Sequence, residues 1–258
     1  MDELLLPGES ICRINEDLKI IQKNDGLKFG TDSYLLSAFI KKNYKGAAAD
    51  LGAGTGIVSL FVAARCSYRI IHAVEIQPEF ADLISRNAEL NGLSGSIVTR
   101  YEDVRCLKSF YEPESFVEVF SNPPYMKCGS GKTSKTDAME TARRENCGTI
   151  DDFTKAASYL LKFGGLFHVV YRPERAAELI CSLSANGLEP KRLVLVYPDA
   201  ASAPCLVLIE AKKGASPSLK TARPLIIYSD TKENKDRTYT EDMERVYREF
   251  SLDFLFDK

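Results

Sequence analysis

The sequence has few residues that bind metals through nitrogen or sulfur. It contains no tryptophan, two histidines and seven cysteines among 258 residues, and its closest cysteines, Cys128 and Cys147, lie 19 positions apart. A structural zinc site needs four clustered nitrogen or sulfur ligands, so a zinc module is excluded and no metal site is predicted. The odd number of cysteines leaves at least one thiol without an internal partner, which predicts a reduced, cytoplasmic protein.

Long apolar runs and an excess of one charge are also absent. No stretch reaches the roughly 18 apolar residues that a membrane span requires, and the first ten residues lack the basic start of a signal peptide. The chain carries 34 basic and 36 acidic residues, a net charge of −2. It is therefore not a basic nucleic-acid coat, and any polyanion must be held by a local patch. Neither membrane contact nor an obligatory protein partner is expected.

From residue 47 onward, short apolar runs that favour strands alternate with segments of helical periodicity. Two late runs, LVLVY at 193–197 and CLVLIEA at 205–211, have no helix between them and can pair antiparallel. This order predicts an α/β fold with a mostly parallel sheet and helices on both faces. We divide the chain into an N-terminal extension (1–45), a main domain (46–213) and a tail packed on that domain (214–258).

Local signals predict how individual elements begin and turn. Residues 24–26, Asn-Asp-Gly, lie between apolar runs within 18–29 and predict a hairpin there. Thr31 and Asp32 are predicted to cap a helix. Thr149 and Asp152 have the spacing of a capping box, which predicts another helix start.

A glycine-rich turn follows the first strand of the main domain. In residues 50–56, DLGAGTG, the glycines Gly52 and Gly54 permit a tight turn and let backbone N–H groups approach a ligand closely. The spacing GxGxG differs from the GxGxxG of pyrophosphate sites. Asp50 suits a cationic ligand, and Glu75, which ends the next strand, can hold two ribose hydroxyls. These features predict S-adenosylmethionine, with its positive sulfonium, rather than NAD.

A second turn, Asn122-Pro123-Pro124-Tyr125, ends the fourth predicted strand. Ligands in open α/β sheets bind beyond the carboxyl ends of the strands, so this turn and the glycine loop are expected to face one crevice. The Asn122 side chain and the Pro123 carbonyl can accept hydrogen bonds from an amino group, the prolines stiffen the turn, and Tyr125 offers a stacking face. The turn is therefore predicted to position a planar amino group for methyl transfer. Asp103, after the third strand, can accept from the cofactor's adenine amino group.

These motifs resemble those of class I S-adenosylmethionine-dependent methyltransferases that act on planar amino groups. The resemblance rests on DLGAGTG at 50–56, VE at 74–75, ED at 102–103 and NPPY at 122–125. One bacterial family is similar in more detail: the tRNA1(Val) adenine-N6-methyltransferases, which methylate the adenosine just 3′ of the anticodon. The additional similarity lies in FGTDS at 29–33, ARRE at 142–145 and the tail segments PLIIYSD and YTEDMERVY.

The resemblance implies a Rossmann-like fold with a seven-stranded sheet ending in an antiparallel hairpin, and a tRNA substrate. It assigns the amino-group role to residues 122–125. It assigns cofactor binding to Thr31, Asp32, Asp50, Gly52, Gly54, Glu75, Asp103 and Asn122. One departure is visible, because Arg144 stands where the family usually has histidine.

The NPPY motif does not by itself select the substrate, because adenine-N6, guanine-N2 and protein glutamine methyltransferases share it. Residues 126–145 have a net charge of +2 and residues 211–224 one of +4, and these two basic segments predict contacts with RNA phosphates. We therefore interpret the chain as an enzyme that methylates N6 of a tRNA anticodon-loop adenosine. The alternatives are a glutamine methyltransferase acting on a release factor, a guanine-N2 RNA methyltransferase and a non-catalytic RNA chaperone that binds S-adenosylmethionine.

Overall fold

The computed structural model describes residues 4–15, 17–24, 30–41, 46–65, 68–125, 148–230 and 237–257. Its strands are β1 Glu9–Arg13, β2 Lys19–Lys23, β3 Ala47–Leu51, β4 Ile70–Glu75, β5 Ile97–Tyr101, β6 Phe116–Ser121, β7 Leu161–Tyr171, β8 Leu188–Tyr197, β9 Leu206–Lys213, β10 Lys220–Thr221 and β11 Leu225–Ile226. Its α-helices are α1 Thr31–Phe39, α2 Ile57–Arg65, α3 Pro78–Leu90, α4 Ile150–Leu160, α5 Ala176–Ala185 and α6 Glu241–Glu249. Across these ranges, none of the helices has the length and apolar character to cross a bilayer.

The main sheet has the strand order β5-β4-β3-β6-β7-β9-β8. These seven strands are parallel except β9, which runs antiparallel to both β7 and β8. The predicted seven-stranded sheet with a terminal antiparallel hairpin is confirmed. The tail adds something the sequence pattern did not reveal, since the two-residue strands β10 and β11 pair parallel to β8. The division of the chain at residues 45 and 213 stays a prediction.

Helices cover both faces of this sheet, as the alternating pattern predicted. On one face α1, α2 and α6 bury a cluster that includes Leu36, Phe61 and Met243. On the other face α4 and α5 bury a second cluster around Phe153 and Leu179. With both faces covered, the strands are buried on both sides, which accounts for their nearly continuous apolar runs.

The N-terminal hairpin differs from the one predicted around residues 24–26. Strand β2 pairs antiparallel with β1, which precedes it in the chain, and Ile11 lies opposite Ile21. The turn is closed by Asn15, whose side-chain oxygen accepts the backbone N–H groups of Asp17 and Leu18 at 2.9 and 2.8 Å. The hairpin predicted around residues 24–26 stays a prediction, because most of its turn and all of its second apolar run fall on residues 25–29. Residues 25–29 lie outside the described residues.

Helix α1 also starts differently from the prediction. It begins at Thr31 with Gly30 as its N-cap, and no side chain caps it. Asp32 bonds its own neighbour through Oδ1, which accepts from the backbone N–H of Ser33 at 2.8 Å. Its other carboxylate oxygen, Oδ2, accepts from Asn122 and Tyr125 in the turn at 122–125. By contrast, the capping box of Thr149 and Asp152 is confirmed at the start of α4.

Helix α3 joins the N-terminal hairpin to the glycine-rich turn. The Asn87 side-chain oxygen accepts from the Ile21 N–H at 2.7 Å, and its amide nitrogen donates to the Thr55 carbonyl at 3.0 Å. One turn later, the Asn91 side chain bonds both the N–H and the C=O of Lys19. The hairpin is therefore hydrogen-bonded to the same helix that supports the turn.

Three polar side chains lie buried together where the paired strands β6 and β7 form the centre of the sheet. The imidazole Nε2 of His168 on β7 is 2.5 Å from a carboxylate oxygen of Glu118 on β6, and both side chains are fully buried. The hydroxyl of Tyr68 donates to the other carboxylate oxygen of Glu118. A buried carboxylate is tolerated only when it is paired, so these contacts are coupled to the stability of the fold.

We expect His168→Phe to lower the free energy of unfolding by about 3–5 kcal/mol, because it preserves volume but leaves Glu118 without its imidazole partner. Urea unfolding followed by circular dichroism measures the change. The double variant Glu118→Leu/His168→Phe removes both polar groups and should recover part of the loss. A loss below about 1 kcal/mol in the single variant would show that the pair does not stabilise the fold.

Candidate active site

Two loops meet at the point where the strand order reverses. Strands β3 and β6 are parallel neighbours, with Asp50 opposite Phe120, so their carboxyl ends lie side by side. The Ser121 hydroxyl donates to the Leu51 carbonyl at 2.7 Å and fastens the end of β6 to the start of the glycine-rich turn. Such a reversal creates the crevice in which open α/β sheets bind ligands.

The glycine-rich turn is built for close approach of a ligand to backbone. Gly52 and Gly54 have φ angles of 70° and 56°, values that side chains other than glycine rarely tolerate. A Cβ placed on Gly54 would meet no atom within 4 Å, whereas one on Gly52 would come within 3.1 Å of the Phe153 ring. Gly52 is therefore needed for packing, and Gly54 keeps its side of the turn open to a ligand.

Asp50 lies beneath this turn and is fully buried. Its carboxylate accepts a hydrogen bond from the Ser59 hydroxyl at 2.7 Å. Burial raises the pKa of Asp50 to about 7; the Ser59 bonds oppose this rise, and the charge of nearby Glu75 adds to it. Because its hydrogen bonds do not offset the cost of burying the charge, the ionised form of Asp50 would be stabilised by a cation.

Glu75 links the glycine-rich turn to the end of β4. One of its carboxylate oxygens accepts from the Gly54 N–H and the other from the Gln77 N–H, each at 2.9 Å. The side chain is almost fully buried, and burial raises the pKa of Glu75 above its usual value. The Gln77 side chain and the Ile76 backbone N–H also bond this carboxylate, and these bonds oppose the effect of burial on the pKa.

The second turn is held by the start of helix α1. The Asn122 amide nitrogen donates to Asp32 Oδ2 and to the Ser33 hydroxyl, both at 3.1 Å. The Tyr125 hydroxyl donates to the same Asp32 oxygen at 2.9 Å and also contacts the Asn122 carbonyl oxygen. Burial and the charge of Asp32 raise the pKa of Tyr125 above its usual range. Asp32 thus fixes which way the Asn122 amide faces.

Sequence reasoning missed three residues around this turn. Ser33 directly follows the predicted pair and holds Asn122, while two arginines come from the end of β7. Arg175 donates to the Tyr125 carbonyl at 2.9 Å, and the Arg172 guanidinium lies over the Tyr125 ring at 4.9 Å. The sequence could have indicated the two arginines only through their position directly after a predicted strand, because residues that follow neighbouring parallel strands lie side by side.

Two predicted cofactor residues lie near the crevice without a contact that tests their role. Asp103 follows β5, but its carboxylate is paired with Arg105 at 2.5 Å and also accepts the Arg105 N–H. Burial acts to raise the pKa of Asp103, but the Arg105 bonds outweigh it and the pKa lies below its usual value. Thr31 is exposed at the first position of α1. Both assignments stay predictions.

The structure describes one of the two predicted basic segments but not the other. Lys212 and Lys213 lie opposite Glu189 and Leu188 at the amino end of β8, and Lys213 is bonded to the carbonyl of Leu161, the first residue of β7. Both lysines are therefore at the edge of the sheet opposite the crevice, because β9 runs antiparallel to its neighbours. The segment 126–145, with Arg144 and the ARRE motif, lies outside the described residues.

Residues 24–184 match the family described as the methyltransferase small domain. The chain belongs to this family. The methyltransferase class predicted from the sequence is confirmed, and so is its Rossmann-like fold. The matched range includes the glycine-rich turn, Glu75, Asp103 and the turn at 122–125.

Similar proteins point in the same direction. A Bacteroides fragilis protein named tRNA1(Val) (adenine(37)-N6)-methyltransferase is 28% identical over 236 residues, which cover 88% of this chain and 91% of that one. A Yersinia pseudotuberculosis protein of the same name is 29% identical over 59% of this chain and 60% of its own. Among solved structures, one described as a predicted O-methyltransferase from Agrobacterium tumefaciens has a TM-score of 0.68 at 24% identity, over 85% of this chain and 97% of that one. The structure of M. jannaschii TYW2 in complex with AdoMet has a TM-score of 0.55 at 17% identity, over 80% of this chain and 85% of that one.

Asp50→Asn tests the buried carboxyl. Its pKa rises from 3.8 to about 7 on folding, so within this window the folded protein holds a proton that the unfolded chain has lost. The wild-type free energy of unfolding therefore falls as pH rises through the window, and asparagine removes that contribution. We expect the variant to gain stability relative to wild type as pH increases toward about 7.

Urea unfolding of both proteins at several pH values between about 5 and 8 measures this difference. Glu75 and the other titrating groups are present in both proteins, so their contributions largely cancel. Parallel stability profiles for the two proteins would mean that Asp50 is ionised throughout this range.

Proposed function

We propose that this protein transfers a methyl group from S-adenosylmethionine to the exocyclic N6 amino group of an adenosine in RNA, most specifically in the anticodon loop of a tRNA. The observation that carries the proposal is the position of Asn122. Its amide is oriented by Asp32 and Ser33 directly beside the glycine-rich turn. The names of the Bacteroides and Yersinia relatives support adenine and tRNA over the alternatives. A tRNA substrate also implies a cytoplasmic enzyme.

The residues of the crevice fit S-adenosylmethionine. Gly54 leaves open space where a side chain would stand, and the Glu75 carboxylate at the same turn suits the ribose hydroxyls. The buried Asp50 favours a positively charged ligand, as the sulfonium and amino groups of this cofactor provide. When bound, the cofactor supplies an activated methyl group. Structural neighbours with AdoMet bound support this assignment.

The protein's contribution to the reaction is positioning. The Asn122 carbonyl oxygen is contacted by the Tyr125 hydroxyl, and the substrate amino group is expected to replace that contact. The Pro123 carbonyl is proposed to accept the second amino hydrogen, and the Tyr125 ring to stack on the base. With the cofactor bound, the methyl carbon would pass from sulfur to N6, S-adenosylhomocysteine would be the leaving group, and the proton lost from N6 would go to water. This transfer needs no strong base, because the proton leaves readily once nitrogen carries the methyl group.

Asn122→Ala tests the amino-group site. The protein is incubated with labelled S-adenosylmethionine and either total tRNA or a release factor, and the products are digested and identified. Wild type should yield N6-methyladenosine in tRNA, whereas the variant should give no detectable transfer while its cofactor affinity stays within about tenfold, or about 1.4 kcal/mol. Label in protein alone, or in guanine, would exclude the proposed substrate. Loss of cofactor binding would mean that the turn is structural.

Asp32 is a positioning residue in this proposal, although the resemblance assigned it to the cofactor. We expect Asp32→Ala to lower kcat on tRNA roughly 100-fold because the Asn122 amide loses its orientation. Cofactor affinity, measured by calorimetry, should change little, and Asp32→Asn should restore part of kcat because its side-chain oxygen can still accept.

Lys162→Ala is the control for Asp32→Ala, since it removes an exposed charged side chain near the amino end of β7, at the edge of the sheet opposite the crevice. It should leave kcat unchanged. If Asp32→Ala instead weakens cofactor binding in proportion to its loss of kcat, Asp32 contacts the cofactor and the positioning role is wrong.

A further inference from the structure

Two arginines flank Tyr125 but are held in different ways. Strands β6 and β7 are parallel neighbours, with Ser121 opposite Val169, so the residues after β7 emerge beside the turn at 122–125. Arg175 is fully engaged, because it donates to the Tyr125 carbonyl and pairs with Glu178 through two bonds of 2.8 Å. The role of Arg175 is therefore to brace the last residue of the turn.

Arg172 is exposed and held only loosely. Its guanidinium lies 4.9 Å from the centre of the Tyr125 ring, and its one hydrogen bond within the described residues is a long one, 3.4 Å, to the Cys205 carbonyl. A guanidinium has five N–H donors, so most of the Arg172 donors have no acceptor among the residues that the structure describes. A cation in this state at the mouth of a site is available to an anionic ligand.

The ring that Arg172 covers is the one on which we propose the substrate base stacks. A purine ring stacks on an aromatic side chain more strongly than an exposed guanidinium does, so the entering base can displace Arg172 from Tyr125. The displaced guanidinium remains at the mouth of the crevice, where its planar set of donors matches a phosphate group.

We propose that Arg172 binds the phosphate of the target nucleotide, and that its guanidinium covers the Tyr125 ring until the base enters. This inference rests on the proposed function. Lys212 and Lys213 cannot serve this phosphate, because they lie at the opposite edge of the sheet. Arg175 is bound to Glu178 and to the turn itself. Among the basic side chains described at this edge, Arg172 combines exposure with unused donors.

The test pairs Arg172→Ala with a chemical change in the RNA. A labelled anticodon stem-loop of valine tRNA is compared with the same RNA carrying a neutral methylphosphonate at the phosphate 5′ or 3′ of the target adenosine. Binding is measured by fluorescence anisotropy in the presence of S-adenosylhomocysteine. Arg172→Ala should bind the unmodified RNA about tenfold more weakly than wild type and reduce the slope of log Kd against log salt by about one.

Wild type should bind one of the two modified RNAs about tenfold more weakly than the unmodified RNA. Arg172→Ala should bind that modified RNA with almost the same affinity as the unmodified RNA. Independent, additive losses for both modified RNAs would overturn the proposal. Lys212→Ala is the matched control, since it removes a cation far from the crevice and should remain sensitive to the methylphosphonate. Arg172→Lys should keep the salt slope with intermediate affinity, because lysine retains the charge without the planar donors.

A second readout separates phosphate binding from a role in base stacking. Adenosine, which lacks a phosphate, should bind Arg172→Ala at least as tightly as wild type because the Tyr125 ring is uncovered. Weaker adenosine binding by the variant would overturn the proposal. The proposed function is contradicted by a different result, in which wild type neither binds the RNA nor methylates it at N6. If the RNA is methylated but the losses of affinity are additive, only the proposed role of Arg172 is wrong.

Discussion

The parallel pairing of β3 with β6 is the constraint on which the rest of the site depends. It brings the carboxyl ends of two strands that are 65 residues or more apart in the chain to one edge, with Asp50 opposite Phe120. Ser121 then bonds the two ends together through the Leu51 carbonyl. From this junction the strand order runs outward in both directions, so helices leave on opposite faces and an open crevice remains between them. The glycine-rich turn and the turn at 122–125 can cooperate only because this pairing places them in contact with one crevice.

Signals that act within a few residues allowed much of the fold to be predicted. The capping box of Thr149 and the proline that starts α3 define helix ends locally, and the missing helix between β8 and β9 requires an antiparallel pair. The turn between β1 and β2 is also defined locally, since the Asn15 side chain accepts two backbone N–H groups two and three residues later. Contacts between distant segments could not be predicted in this way. Asp32 and Asn122 are 90 positions apart, and nothing in either segment alone indicates that they bond.

Acidic groups, rather than basic ones, dominate the described part of the crevice, and their environments separate their roles. Asp50 and Glu75 are buried, and burial raises the pKa of both carboxyls although their hydrogen bonds oppose this rise. Asp103 is paired with Arg105, which keeps its carboxylate ionised and already bonded. A positively charged ligand gains most from the first two groups, because neither is paired with a basic side chain among the described residues. The net charge of −2 is therefore compatible with the proposed RNA binding, since the residues proposed for the cofactor and for a phosphate differ.

The segment before β3 is part of the site rather than an addition to it. The β1–β2 hairpin is bonded to Asn87 of α3, and the same side chain bonds the Thr55 carbonyl within the glycine-rich turn. Helix α1 supplies Asp32 and Ser33, which hold the Asn122 amide in the other turn. Each half of the crevice thus receives a hydrogen-bonded support from residues that precede the first strand of the sheet. Preorganised positioning is the main requirement of methyl transfer from an activated donor, so the proposed function gives these supports a role in catalysis through the two turns that they hold.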